Sequence, residues 1–172
     1  MIISYLKYFL ILVLLILLQK SLIWLLAITN YNITPDIVII AVVYIGVKRG
    51  NIDGSISGFI SGLILDILSG TFLGLLALSY SVAGFIAGYF KREEDKYLTK
   101  YYFLLILFLC SFIGNFIYFE IYFQGTVVLF WEVLTKYVTS TSTYTTLVSI
   151  IFVVILKRKE TMQWEESNYP IK

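Results

Sequence analysis

Lys20, Asp36, Asp66, Glu120, Glu132 and Lys136 are the residues of this sequence best placed to do chemistry, because each is an ionisable group within or beside a long apolar run. An ionised side chain at a bilayer centre costs about 2.5–3.5 kcal/mol on insertion scales, so such groups normally face protein or water. Asp66 and Glu120 could share acid–base work only with a substrate between them and suitably tuned pKa values. Nothing near them in the sequence argues for a sugar or a phosphate. There is no His, and the single Cys, Cys110, lies in an apolar run. An imidazole base, a Cys/His metal cluster and an internal disulfide are thereby excluded. No enzymatic activity, cofactor or metal is expected.

The elements that hold these residues are apolar helices. The chain has 172 residues, of which 59% are hydrophobic and 14% charged, and its mean hydropathy is +0.88. A soluble domain is about 45–50% apolar and about 25% charged. One crossing needs roughly 20 helical residues. Six spans therefore fit, as a single all-α transmembrane bundle over residues 1–160 with a polar tail over 161–172.

The first span, Leu6 to Ile28, is interrupted only by Gln19, Lys20 and Ser21 and carries no small-residue cleavage pattern, so it reads as uncleaved. The second runs from Pro35 to about Val47 and stops at Lys48, Arg49 and Gly50. Thr34 is its expected cap, Pro35 suits the first helical position and Asp36 complements the helix dipole. Its shortness suggests burial among neighbours. The third span, Ile52 to Leu68, carries Gly54, Gly58 and Gly62 at four-residue intervals, and the fourth, Phe72 to Phe90, repeats the device with Gly84 and Gly88. That spacing places small residues on one helix face for close packing; it does not match a phosphate-binding loop. A fifth span covers Tyr101 to Phe119, with Asn115 inside and Glu120 at its far boundary. Residues 121–131 read as an interfacial or re-entrant connection, and the last span, Lys136 to Leu156, is hydroxyl-rich in its first half.

With these spans, Lys7, Lys48, Arg49, Lys91, Arg92, Lys96, Lys100, Lys157, Arg158, Lys159 and Lys172 fall on one side. Basic residues in short loops favour the cytoplasm, so both termini are expected inside. The net charge of +2 is spread along membrane boundaries and gives no nucleic-acid footprint. Lys20, Asp36, Asp66, Glu120, Glu132 and Lys136 all land in the outer half. Lys20 paired with Asp66 or Glu120 is the favoured arrangement. In the plainer alternative Asp66 ties down the turn that follows it, while Lys20 and Lys136 snorkel to the interface.

The block TPDIVIIAVVYIGVKRGNIDGSISGFISGLILDILSGTFLGLLALSYSVAGFIAGYF resembles the rod shape-determining MreD family. The resemblance rests on Pro35 and Asp36 opening the second span, Gly50 ending it, Gly54, Phe59, Gly62, Leu63 and Asp66 in the third, and Gly74, Ala77 and Leu78 in the fourth, with Gln19 and Ser21 in the first. It covers residues 35–90; the second half agrees in topology and in its basic tail. The resemblance implies a multi-pass protein of the bacterial cytoplasmic membrane, with a fold similar to the substrate-binding S-components of energy-coupling-factor vitamin transporters. It also implies a non-catalytic scaffold associating with an MreC-like bitopic protein and, through it, with MreB filaments, RodA and a class B penicillin-binding protein. Membrane lipid is then the other expected contact. An outer-side polar pocket of Lys20, Asp66 and Glu120 is where a partner segment or lipid-linked group would dock. A transporter substrate-binding subunit shares the expected architecture, but the first helix lacks the pair of small residues at which such subunits meet their transmembrane partner.

Overall fold

The computed structural model describes residues 10–21, 34–70, 72–91 and 100–151. The described residues are helical and contain no strand. The expected ends of the first span, the KREEDK run beyond Lys91, the end of the last span and the polar tail lie outside them. Helix α1 is Leu10–Ser21; α2 is Ile37–Arg49, α3 Asn51–Ser69, α4 Leu75–Gly88 and α5 Lys100–Tyr122. A final helical stretch, α6, covers residues 130–151, with Phe130–Glu132 α-helical and Val133–Thr139 wound as a π-helix.

α2 is the central element, buried on nearly every side, with Val38, Ile39, Val42 and Val43 inaccessible. Its N-cap is Asp36, not the expected Thr34: the Asp36 backbone is extended and its Oδ1 accepts from the Ile39 N–H at 3.2 Å. Pro35 therefore precedes the cap and is not the first helical residue; Asp outranks Thr as an N-cap, and with Asp36 extended the winding starts at Ile37, two residues later than expected. The other end is Gly50, with φ 109°, a conformation an L side chain rarely tolerates. Its N–H bonds the Gly46 carbonyl at 2.7 Å, while its own carbonyl receives the Gly54 N–H at 3.0 Å. One residue thus closes α2 and opens α3.

In lipid, apolar burial supplies no drive toward association, so helices are held by close contact and hydrogen bonds. The glycines of α3 and α4 provide that contact. A Cβ added at Gly62 would stand 2.5 Å from the Leu76 carbonyl oxygen, and one at Gly58 would collide with the Tyr80 carbonyl. Gly54 and Gly84 lie against each other's backbones, Gly88 lies against Asn51, and a Cβ at Gly46 of α2 would meet the Gly84 oxygen at 2.7 Å. Dispersion falls off steeply with separation, so this seam sets how tightly α2, α3 and α4 pack.

α4 is shorter than the expected Phe72–Phe90 span, because Phe72 to Gly74 belong to the turn that precedes it. α5 runs past the expected Phe119 to Tyr122, taking Glu120 into the helix. Residues 123–129 form a non-helical connection that turns at Gly125, φ 83°, and α6 begins at Phe130, ahead of the expected Lys136. In the π stretch the wider turn lets Val133 and Val138, five positions apart, both point inward. The Thr139 and Ser140 hydroxyls donate to the carbonyls of Leu134 and Thr135, five residues back.

α3 and the Tyr101–Tyr122 part of α5 are long and apolar enough to cross a membrane; α1 and α4 are shorter apolar helices. Ile52, Phe59 and Ile67 of α3, Phe85 of α4, and Leu105 and Leu109 of α5 are exposed. Apolar surface of this extent is what hydrocarbon solvates.

Candidate functional site

The C-terminal end of α1, the N-terminus of α2, the C-terminal end of α3 and the N-terminus of α4 meet at one end of the bundle, opposite Lys48, Arg49 and Lys91. A half-open cleft of about 170 Å3 lies among them. Its lining includes Gln19 and Lys20 from α1, Thr34 and Asp36 before α2, Leu65 and Ser69 from α3, Leu76 and Tyr80 from α4, and Asn115, Tyr118 and Phe119 from α5, with Thr141 from α6.

Asp36 is the most heavily used of these groups. Its Oδ1 caps α2 and its Oδ2 accepts from the Tyr80 hydroxyl, so both oxygens serve as acceptors, as suits a carboxylate. Its backbone N–H donates to Thr145 Oγ1 of α6 at 2.9 Å. Beside it, the Val38 N–H donates to Gln19 Oε1 at 3.0 Å. Through one capping residue, α2 is thus fastened to α4 and α6, and through Gln19 to α1. Asn115 extends the polar layer, donating from Nδ2 to Ser111 at 3.2 Å and to Ser142 of α6 at 3.0 Å. Ser79 of α4 donates to the Gly114 carbonyl at 2.6 Å. Among the described residues, every buried side-chain nitrogen and oxygen has a partner.

Asp66 is fully buried and lies outside this lining. Its carboxylate accepts from three backbone N–H groups: Gly74 at 2.9 Å, and Leu76 and Ala77 at 3.2 Å each. These are the orphan donors at the start of α4. The carboxylate at the end of one helix therefore caps the next, and Gly74, φ 98°, supplies the left-handed turn that presents its N–H.

Lys20 donates to Ser69 Oγ at 2.6 Å. Among the described residues no ion pair joins it to Asp66 or to Glu120; the ion pairs are Arg49–Asp53 at 3.7 Å and Lys136–Glu132 at 3.0 Å, each within one helical turn. The structure brings Lys20 into the same cleft as Asp36, leaves Asp66 beneath the α3–α4 turn, and places Glu120 half-buried on α5 away from the lining. The sequence reading passed over Tyr80, Tyr118 and Thr141 as site residues. A tyrosine hydroxyl or a threonine among apolar neighbours on α4, α5 and α6 is the available signal, since buried polar groups require partners.

A family model described as rod shape-determining protein MreD matches residues 2–158, nearly the whole chain. No curated protein and no solved structure matches it.

Proposed function

The chain belongs to the MreD family of rod shape-determining membrane proteins, and on that premise we propose that it is a non-catalytic scaffold of the bacterial cell-elongation machinery. In this reading it associates with an MreC-like bitopic protein and, through it, with MreB filaments, RodA and a class B penicillin-binding protein. The family match carries the reading. The packing supports it: Asp36 fastens α2 to α4 and α6, and the glycine seam holds α2, α3 and α4 in close contact.

The same reading takes the chain to cross the cytoplasmic membrane six times, as residues 1–160, in a bundle resembling transporter S-components, with the 161–172 tail and both termini cytoplasmic. Lys48, Arg49 and Lys91 at one end of the bundle support that orientation by the positive-inside bias. The cleft then opens on the outer side.

Depletion in a rod-shaped host tests the role. Cells are expected to round and swell, and the tagged protein to co-purify with the MreC-like protein. Unchanged cell shape would overturn the scaffold reading, and a purified protein that co-elutes with a vitamin would put the transporter reading in its place.

A further inference from the structure

The cleft carries more hydrogen-bonding capacity than the fold consumes. Its floor is buried: Tyr80 is 2% exposed, Asn115 6%, Asp36 7% and Thr141 8%. Asn115 spends both protons of its amide nitrogen on Ser111 and Ser142, which leaves Oδ1 as an acceptor. As no buried side-chain oxygen among the described residues lacks a partner, that unpartnered oxygen is accessible, and its residue lines the cleft. The same holds for the Thr141 hydroxyl. At the rim, Lys20 is only partly buried and uses one of its three ammonium protons on the exposed Ser69. The polarity of the cleft is therefore ordered, with a carboxylate and neutral acceptors at the floor and a cation at the mouth.

A ligand complementary to that order offers a hydrogen-bond-donating cation to the floor and an anion to the rim. We propose that the cleft binds a primary ammonium–phosphate zwitterion of the phosphoethanolamine type, its ammonium on Asp36, Asn115 and Thr141 and its phosphate on Lys20. The size fits, since a cavity of about 150 Å3 holds a six-carbon ring and this one is about 170 Å3 with an open mouth. The acceptors on the floor favour a primary ammonium, which has three protons to donate, over a quaternary one, which has none. Leu65, Leu76 and Phe119 in the lining give the carbon stem apolar contact. The source is either a lipid headgroup or the free zwitterion. The site is independent of the scaffold role and can be tested without it.

The test uses the full-length protein in detergent, loaded with phosphatidylethanolamine, phosphatidylcholine or phosphatidylglycerol of identical acyl chains, with retained lipid counted by native mass spectrometry. The ethanolamine lipid is expected to be retained about tenfold over the other two, the scale of one charge-assisted hydrogen bond. Thr141→Val, which removes a floor acceptor, is expected to lower that preference several-fold, and Lys20→Met, which removes the partner of the phosphate common to all three lipids, to lower retention of the ethanolamine lipid several-fold. Asp36→Asn keeps the cap, removes the charge and is expected to lower the preference likewise; Thr141→Val carries the test if Asp36→Asn fails to fold. Displacement by soluble phosphoethanolamine identifies the free zwitterion as sufficient, and retention of the lipid in its presence identifies the headgroup as the ligand. Equal retention of all three lipids, an ethanolamine preference untouched by Thr141→Val, or a retention untouched by Lys20→Met, overturns the proposal.

Discussion

Tyr80 and Asp36, 44 residues apart in the chain, meet as hydroxyl donor and carboxylate acceptor at the end of the bundle that holds the cleft. Asp36 is at the same moment the cap of α2, so the tyrosine steadies the carboxylate that begins the central helix. Tyr80→Phe removes the donor and keeps the ring. The expected loss is about 1.5–3 kcal/mol, the usual scale for a hydrogen bond to a charged group, read as a lower midpoint of thermal unfolding in detergent. An unchanged midpoint would show the bond to be dispensable.

Asp66→Ala should be the more damaging change. It strips the acceptor from three N–H groups at the start of α4, and each buried donor left unpaired costs about 1–3 kcal/mol. We expect little folded protein to accumulate. Asp66→Asn, which keeps one carbonyl oxygen but turns an amide toward the same donors, should recover only part of the yield.

The glycine seam predicts a graded series. Gly58→Ala and Gly62→Ala drive a methyl group against the α4 backbone, and forced overpacking costs about 1–3 kcal/mol. Gly70 meets nothing within 4 Å but has φ 64°, so Gly70→Ala should lose only the left-handed backbone term of about 1–2 kcal/mol. Melting points of the three variants in one detergent give the order; Gly70→Ala as the least stable of them would refute the seam.

The amide of Asn115 and the hydroxyl of Ser142 join α5 to α6 at 3.0 Å. A double-mutant cycle of Asn115→Ala and Ser142→Ala should give a coupling of about 0.6 kcal/mol, the average for side-chain hydrogen bonds within membrane bundles. A coupling of zero would mean that the two helices are held by packing alone.

The π-helix supplies a prediction of another kind. A π turn behaves as one extra residue in an α-helix, so deleting Thr135, which is exposed, should restore α-helical winding while Val133 and the residues from Val138 onward keep their faces. Deleting Thr143, which lies beyond it and is also exposed, should rotate Thr145 and Ser149 out of the core. Stability close to wild type for the first deletion and its loss for the second is the expected contrast.

Much of this arrangement is legible in residue types. Glycines at four-residue spacing can serve only a helix face, and in α3 they line the contact with α4. Pro35 followed by Asp36 announces a helix start, though the preference of proline for the first helical position points to Thr34 as the cap, whereas Asp36, the better capping residue type, takes that place. The partners of the charged residues are another matter. The expected spans put Lys20, Asp66 and Glu120 at similar depths, yet depth says nothing about rotation around each helix axis, and rotation is what sends Asp66 under its own turn and Lys20 to Ser69. The Asp36–Tyr80 contact depends on how α2 crosses α4. The π winding leaves no mark in composition, because Val133 and Val138 fit an amphipathic pattern only once the extra residue is known.

Gly50 serves two helices at once, and this leaves the α2–α3 hairpin without slack. A bend of one arm cannot be absorbed at the joint and must swing the other. A tug felt by Arg49 and Asp53 near the joint would therefore be felt at Asp36 and Ser69, at the far tips of the same two arms, as if along the blades of scissors with a stiff rivet. Lengthening the joint by even one flexible residue would uncouple the tips from the handle while leaving each blade intact.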